Sequence, residues 1–478
     1  MSYILIKNGT LVSDGKEWKS DIFISNGKIE KIEEDIETSG LLQKAETQVI
    51  DASGCYVFPG FIDAHTHLDM DSGTTHTADD FSSGTKAAVA GGTTTLIDFA
   101  TQEKGEPLKA ALFKWHKKAE GKSSCNYGFH MAITDWQPEA PGILGTASQM
   151  EELVLQGVSS YKLYMAYDTL RLSDPQIYEV LKVAHRLEVL VGNHCENGDM
   201  VNWLINRQKD CGNLSPAAHP ESRPDWLEAE AVSRFLYLAE LADVPVHIVH
   251  LSTKAGLEEI KLARKRNQKV FVETCPQYLT LTDSVYKTKD FEGAKYVCSP
   301  PIRSKKDQQA LWKALSTDSL NGEIQTISTD HCSFNFYGQK DLGKNDFSKI
   351  PNGLPGLQHR PQLIFTLAQI GDKKEKLSPS QFSALMGENA AKLFGMYPLR
   401  GTLREGSFAD ITVWNPEYKG FIHALDSYHQ CDYSPYENME IQGRAEQVIV
   451  NGILVASEGV VIAENQGQYI KRLPGFPD

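Results

Sequence analysis

Phe61-Ile62-Asp63-Ala64-His65-Thr66-His67-Leu68-Asp69 follows Pro59-Gly60 as a short apolar run that carries two histidines two residues apart. In a strand, residues i and i+2 point to the same face. His65 and His67 therefore present two imidazoles side by side, a pairing that suits a metal ion. A lone His-x-His fits two hydrogen-bonded core histidines equally well, so the rest of the chain has to decide between them.

Outward from this strand the sequence alternates apolar runs with amphipathic stretches. The runs are Thr93–Phe99, Asn126–Ile133, Ser159–Met165, Val189–His194, Val244–Leu251, Lys269–Thr274 and Ile324–Thr329. Between them, Pro175–Arg186, Trp226–Leu241 and Ala255–Arg266 repeat apolar residues at helical spacing. Such β-then-α repetition implies parallel strands. Eight units close most economically into a (β/α)8 TIM-like barrel. An open doubly wound sheet would advertise a Gly-rich phosphate loop, and the chain has no G-x-G-x-x-G. Gly121-Lys122-Ser123 has His116 where a Walker A loop needs its first glycine, and reads as a turn.

The two ends of the chain are written differently. Ile4-Leu5-Ile6-Lys7 runs into Asn8-Gly9 and Ile22-Phe23-Ile24 into Asn26-Gly27, the strongest short hairpin signal. The style returns at Ile411-Thr412-Val413-Trp414 and on either side of Asn451-Gly452. Residues 1–56 and 401–460 are therefore expected to form one small β-sandwich domain built from both chain ends. The barrel would occupy 57–400, and 461–478 would be a tail.

A net charge of −14 argues against a nucleic-acid partner and against an anionic membrane surface. No apolar run approaches the ~20 residues of a membrane helix, and Met1–Gly9 lacks a secretory leader's pattern. Eight cysteines include no Cys-x-x-Cys pair. Cys195, Cys275, Cys298 and Cys332 fall near strand ends, as small buried hydrophobes do. A cytoplasmic protein is expected.

Catalytic groups of such barrels sit at the C-terminal ends of the strands. There the first strand offers His65 and His67, the fourth Lys162, the fifth His194, the sixth His250 and the eighth Asp330. His247 and His250, three apart, cannot both point inward; His250 lies nearer the strand end, and His247 is read as structural. His331 is expected to orient a neighbour. A buried lysine is costly without a partner, and its arrival beside four histidines and an aspartate makes coincidence a poor explanation.

At this point the residues match a family. Asp63-Ala64-His65-Thr66-His67, Tyr161-Lys162-Leu163-Tyr164-Met165-Ala166-Tyr167, Val249-His250-Leu251-Ser252, Glu273-Thr274-Cys275-Pro276-Gln277-Tyr278-Leu279, Cys298-Ser299-Pro300-Pro301, Thr329-Asp330-His331 and Pro351-Asn352-Gly353-Leu354-Pro355-Gly356 resemble, in order, the dihydropyrimidinase/D-hydantoinase group of cyclic amidohydrolases. The resemblance implies two divalent metal ions, typically zinc: one on His65, His67 and Asp330, the other on His194 and His250. Lys162 would bridge them as a carbamate formed from carbon dioxide. Two divalent ions repel an ammonium but welcome an anion, and the carbamate's two oxygens can span metals ~3.5–4 Å apart. Asp330 would be the general base, Tyr167 would steady the oxyanion, and Ser299 and Asn352 would bind the amide edge through backbone groups.

The implied reaction is hydrolytic opening of a 5,6-dihydropyrimidine or 5-substituted hydantoin to an N-carbamoyl amino acid. Relatives that open dihydroorotate carry an arginine after the His-x-His, whereas here Leu68 and Asp69 follow, which favours a neutral ring. Gln277 also looks more like hydantoinases than like dihydroorotases or allantoinases. Asp168-Thr169-Leu170-Arg171 departs from the lysine that many dihydropyrimidinases place after the tyrosine. Asp69–Thr77 and Asp168–Ser173 are expected to shape the pocket for the ring substituent. Family likeness further implies a homotetramer in which the chain from about Tyr428 onward reaches a neighbour. The alternatives are an allantoinase-like hydrolase and a non-enzymatic scaffold of the same fold.

Overall fold

Aliphatic, aromatic and threonine side chains fill the runs noted above, and in the computed structural model they form eight parallel strands, each buried along nearly its whole length. Residues 3–36, 47–142, 144–288, 290–315, 322–370 and 377–477 are described. The strands, in sheet order, are Phe61–Thr66, Thr93–Thr101, Asn126–Ala132, Ser160–Tyr164, Leu190–His194, Val246–Ile248, Val270–Thr274 and Thr326–Ile327. Sequential neighbours pair, as right-handed β-α repetition dictates. The last strand meets the first through a parallel bridge between Thr66 and His331, and His67 N–H donates to the His331 carbonyl at 2.7 Å. Arg360, fully buried, staples this seam by donating to the carbonyls of Ile62 (2.8 Å) and Ile327 (2.9 Å). The barrel expectation is met.

Strands six and eight are shorter than the sequence suggests, and buried carboxylates are the reason. Past Ile248, the Glu273 carboxylate takes the His250 N–H (3.2 Å) and Glu228 takes that of Ser252 (3.0 Å). Past Ile327, Asp63 takes the Thr329 N–H at 3.1 Å. Side chains replace ladder partners there, so the backbone is free to turn. Helices Asp174–Leu187, Asp225–Leu241 and Lys254–Lys265 cover the outside where periodicity put them.

Two further sheets come from the chain ends. One orders Lys28–Glu33, Asp21–Ser25, Tyr3–Lys7 and Thr47–Asp51; the other joins Lys16–Lys19, Thr10–Ser13 and Tyr56–Pro59 to Ile411–Phe421, Glu440–Val450, Ile453–Ser457 and Val460–Val461. Ile4, Ile6, Ile22 and Ile24 of the first share one core with Leu11, Val57, Ile411 and Ile449 of the second. This is the sandwich expected from both termini. The segment expected to reach a neighbour lies, in the single chain, against its own barrel. Tyr127 N–H donates to the Gln468 carbonyl (3.0 Å), and Ile470 N–H to that of Tyr127 (2.7 Å). Arg472 is buried at the N-terminal end of the barrel, donating to Ser160 Oγ (2.7 Å) and to the Phe129 carbonyl.

Candidate active site

Alternation along the first strand turns His65 and His67 to the same side, with ring centroids 5.3 Å apart. Asp330, just beyond the eighth strand, brings one oxygen (Oδ1) to 3.2 Å from His65 Nε2 and to 3.2 Å from His67 Nε2. Donor atoms of these three residues lie within 4.8 Å of one another, the arrangement a metal ion requires. Although 3.2 Å from Asp330, His65 Nε2 has no aligned hydrogen-bond partner. Such an orphaned nitrogen in the interior is the mark of a missing electrophile.

Beside this cluster His194 Nδ1 faces His250 Nε2 at 3.0 Å. Two zinc–nitrogen bonds of 2.0–2.1 Å at a tetrahedral angle would separate their nitrogens by about 3.3 Å. His194 Nε2 donates to Glu196 Oε2 (2.8 Å), which also receives Arg223 at 2.6 Å. Because the carboxylate fixes the proton on Nε2, Nδ1 keeps a lone pair for a ligand. His65 is oriented in the same way, its Nδ1 2.6 Å from Glu273 Oε1. The His65 and His250 rings are 5.4 Å apart, so the two groups are contiguous.

Lys162 lies in the barrel interior, 1% exposed, its Nζ 5.2 Å from the Phe99 ring centroid and 5.3 Å from that of Tyr164. Burial pushes its pKa down to about 8, against the opposing pull of Asp330 and Glu273. Burial, aided by Lys162, drives His250 well below the usual imidazole range, and burial also lowers His194. Burial would raise Asp330, yet His65 and His67 hold its carboxyl well below the usual carboxylate range. For Glu196 too, burial is outweighed: Arg223 and His194 bring it to about 2. His194 and His250 are therefore neutral imidazoles, and Asp330 and Glu196 ionised carboxylates. Burial lowers His65 too, but the Glu273 and Asp330 carboxylates outweigh it and raise it to about 9, so a metal ion there would displace a proton from this ring. With four imidazoles and a carboxylate meeting beside a buried lysine, the donor set fits a pair of divalent ions.

Three of the site residues have left-handed backbones: Tyr167 at φ +67°, His250 at +39° and Asp330 at +52°. Non-glycine residues held there store of order 1–3 kcal/mol each, a cost that surrounding structure must impose. Tyr167 follows the fourth strand with its ring 5.2 Å from that of His194. Burial raises its hydroxyl to about 12, with the Arg223 guanidinium and the nearby Ser299 side chain pulling the other way. Ser299 Oγ is buried without a partner oriented for it. Asn352 is half-buried on a loop tied to the Ser299 segment, Gly353 N–H donating to the Val297 carbonyl at 3.0 Å. His247 also faces the barrel interior, packing on Phe394 (5.7 Å between centroids) and lining a cavity with Lys162. It and His250 both turn inward, contrary to the alternation expected, because the strand ends at Ile248 and His250 is left-handed. His331 hydrogen-bonds Asp79 at 3.1 Å. The four cysteines named from sequence are buried and free.

Around the mouth, Arg171 is held by Asp168 (2.9 Å) and Asp199 (2.7 Å), which accounts for the Asp168–Arg171 departure as a local ion-pair network. Glu273, Glu196 and Arg223 were not singled out from sequence. Glu273 could have been, since a carboxylate closing a buried strand demands a partner. Glu196 lies two residues past His194, but nothing in the sequence brings Arg223 to it.

The comparisons agree with this geometry. The profile of the amidohydrolase family matches residues 56–455. A D-hydantoinase of Geobacillus stearothermophilus is 42% identical over 474 residues, covering 98% of this chain and 96% of the relative. One from Ralstonia pickettii is 40% identical, with 98% of each chain covered. The crystal structure of a dihydropyrimidinase from Brevibacillus agri superposes with a TM-score of 0.92 at 39% identity, covering 99% of both chains. The chain belongs to the amidohydrolase family, within its dihydropyrimidinase/D-hydantoinase group.

Proposed function

We propose that this protein is a cyclic amidohydrolase that opens 5,6-dihydropyrimidines or 5-substituted hydantoins to N-carbamoyl amino acids. Its relatives' names support the reaction class. The observation that carries the reading is the meeting of four imidazoles, Asp330 and a buried Lys162 at one end of the barrel, with facing donors 3.0–3.2 Å apart. His65, His67 and Asp330 would hold one divalent ion, His194 and His250 a second, and carboxylated Lys162 both; zinc suits these donors best. When bound, such ions acidify water from a pKa of 15.7 toward about 7 and polarise the ring carbonyl.

The chain's own groups do the rest. Asp330 accepts the attacking water's proton and returns it to the departing ring nitrogen, so that a C–O bond forms as the C–N bond breaks. Tyr167 donates its hydroxyl to the carbonyl oxygen as that oxygen gains charge. Its raised pKa keeps that hydroxyl protonated. Backbone groups of Ser299 and Asn352 receive the amide edge and fix the ring's orientation. Glu273 and Glu196 hold His65 and His194 in ligating tautomers.

A scaffold without catalysis would have no use for six intact donors, and the allantoinase alternative finds no counterpart among the relatives named above. Cytoplasmic residence and a homotetramer belong to the proposal on family likeness; among the described residues, no helix is long and apolar enough to cross a membrane. Metal analysis alongside turnover of dihydrouracil, hydantoin, phenylhydantoin and allantoin tests the reading. Two metal ions per chain and fastest turnover of a dihydropyrimidine or hydantoin are expected. A metal-free protein inert toward all four would refute it.

A further inference from the structure

Lys340 is 0% exposed, on a single 3-10 turn, Lys340–Gly343, in the segment that follows the eighth strand. Its ammonium donates to the Val297 carbonyl at 2.9 Å and to the Pro351 carbonyl at 3.0 Å. Val297 lies two residues before Ser299, and Pro351 immediately precedes Asn352. One buried cation thus joins the two loops assigned to the substrate's amide edge. Gly353 N–H donates to the same Val297 carbonyl, which joins the two loops directly, and a Cβ at Gly353 would come within 2.2 Å of the Cys332 carbonyl oxygen, so the Asn352 loop passes the chain beyond the eighth strand where only glycine fits.

The reaction proposed above gives this lysine no chemical task. Burial lowers its pKa to about 8, opposed only by the sulfur groups of Cys298, Cys332 and Cys431. A methionine or leucine would fill the same space without taking an ammonium out of water. What an apolar side chain cannot do is fix the direction of two peptide planes. In a trans peptide the carbonyl of one residue and the N–H of the next point opposite ways. Drawing the Pro351 carbonyl onto Lys340 therefore aims the Asn352 N–H away from the lysine, and the Val297 peptide is oriented by the same device. The preceding residue extends the clamp: Gln339 Nε2 donates to Thr75 Oγ1 (2.8 Å) and to the His76 carbonyl (2.6 Å). A third loop at the mouth, Asp69–Thr77, is thereby held in register with the other two.

We propose that Lys340 is a positioning residue for substrate binding, its ammonium holding the backbones of the Ser299 and Asn352 segments in the arrangement that receives the ring. This rests on the assignment of those two segments to the substrate. The test is steady-state kinetics and metal content of Lys340→Met with dihydrouracil and a 5-substituted hydantoin. KM is expected to rise about tenfold or more for both, with kcat within about threefold and metal content unchanged, the pattern of lost uniform binding. An unchanged KM, or kcat and metal content falling together, overturns the proposal. Lys340→Gln keeps an N–H donor and is expected to lie between the two; if neither variant folds, the lysine serves stability alone and the proposal fails. Amide hydrogen exchange of the unsubstituted protein, with and without hydantoin, separates this from the underlying assignment. Protection of the amides of residues 297–299 and 352–353 is expected. No protection rejects the substrate segments themselves, whereas protection with a normal KM in Lys340→Met rejects only the role of Lys340.

Discussion

Lys162 and Asp330 have the most exposed roles to test. Lys162→Ala is expected to fold yet lose nearly all turnover, with part restored by short carboxylic acids that occupy the bridging position; unchanged turnover would refute the carbamate. Asp330→Ala should lower kcat by about 10²–10⁴-fold, the usual worth of a general base. Glu273 makes a subtler case, because it touches no substrate. Replacing it with Gln removes the charge facing His65 Nδ1, and metal affinity should fall about 10–100-fold in a chelator competition. These residues also show what sequence can disclose. His-x-His at a strand end and a lysine inside an apolar run are visible because each is expensive to bury without purpose. Arg223 is invisible, since its partner Glu196 lies on another segment and only the fold brings them to 2.6 Å.

The elements were legible where hydrophobic period had room to repeat. Strands two to five and seven, and the three amphipathic helices, stand close to where spacing put them. Strands six and eight do not, because Glu273, Glu228 and Asp63 capture backbone N–H groups that would otherwise extend the ladder. Apolar patterning carries no trace of such competition. The C-terminal segment was legible as a tail but not as a plug, since a single arginine beside Lys471 does not announce its burial. Arg472→Met should leave Phe129 and Ser160 short of a donor, costing about 1–3 kcal/mol. Thermal unfolding should shift to lower temperature, and kinetics at moderate temperature should be little changed.

At the scale of the whole molecule, the proposed preference for a neutral ring can be tested, because Leu68 and Asp69 follow the His-x-His where a carboxylated ring would need a cation. Asp69 at the mouth would oppose a carboxylated ring, and like charges in juxtaposition cost several kcal/mol. kcat/KM for dihydrouracil or a hydantoin should therefore exceed that for dihydroorotate by about a hundredfold or more, and parity would count against a neutral-ring preference. Chelation followed by dialysis should abolish turnover, and added zinc should restore it. The fold also constrains the order in which the protein can be made. Tyr56–Pro59, which leads into the first barrel strand, is paired on one side by Ile411–Phe421, near the far end of the chain. A ribosome delivering this polypeptide from its N-terminus at about 5–20 residues per second must hold that edge unpaired until synthesis is almost finished. The strand that leads into the histidine-bearing one thus gains its last support only as the nascent chain nears release, and a chain cut short of Ile411 would keep that flank open and adhesive.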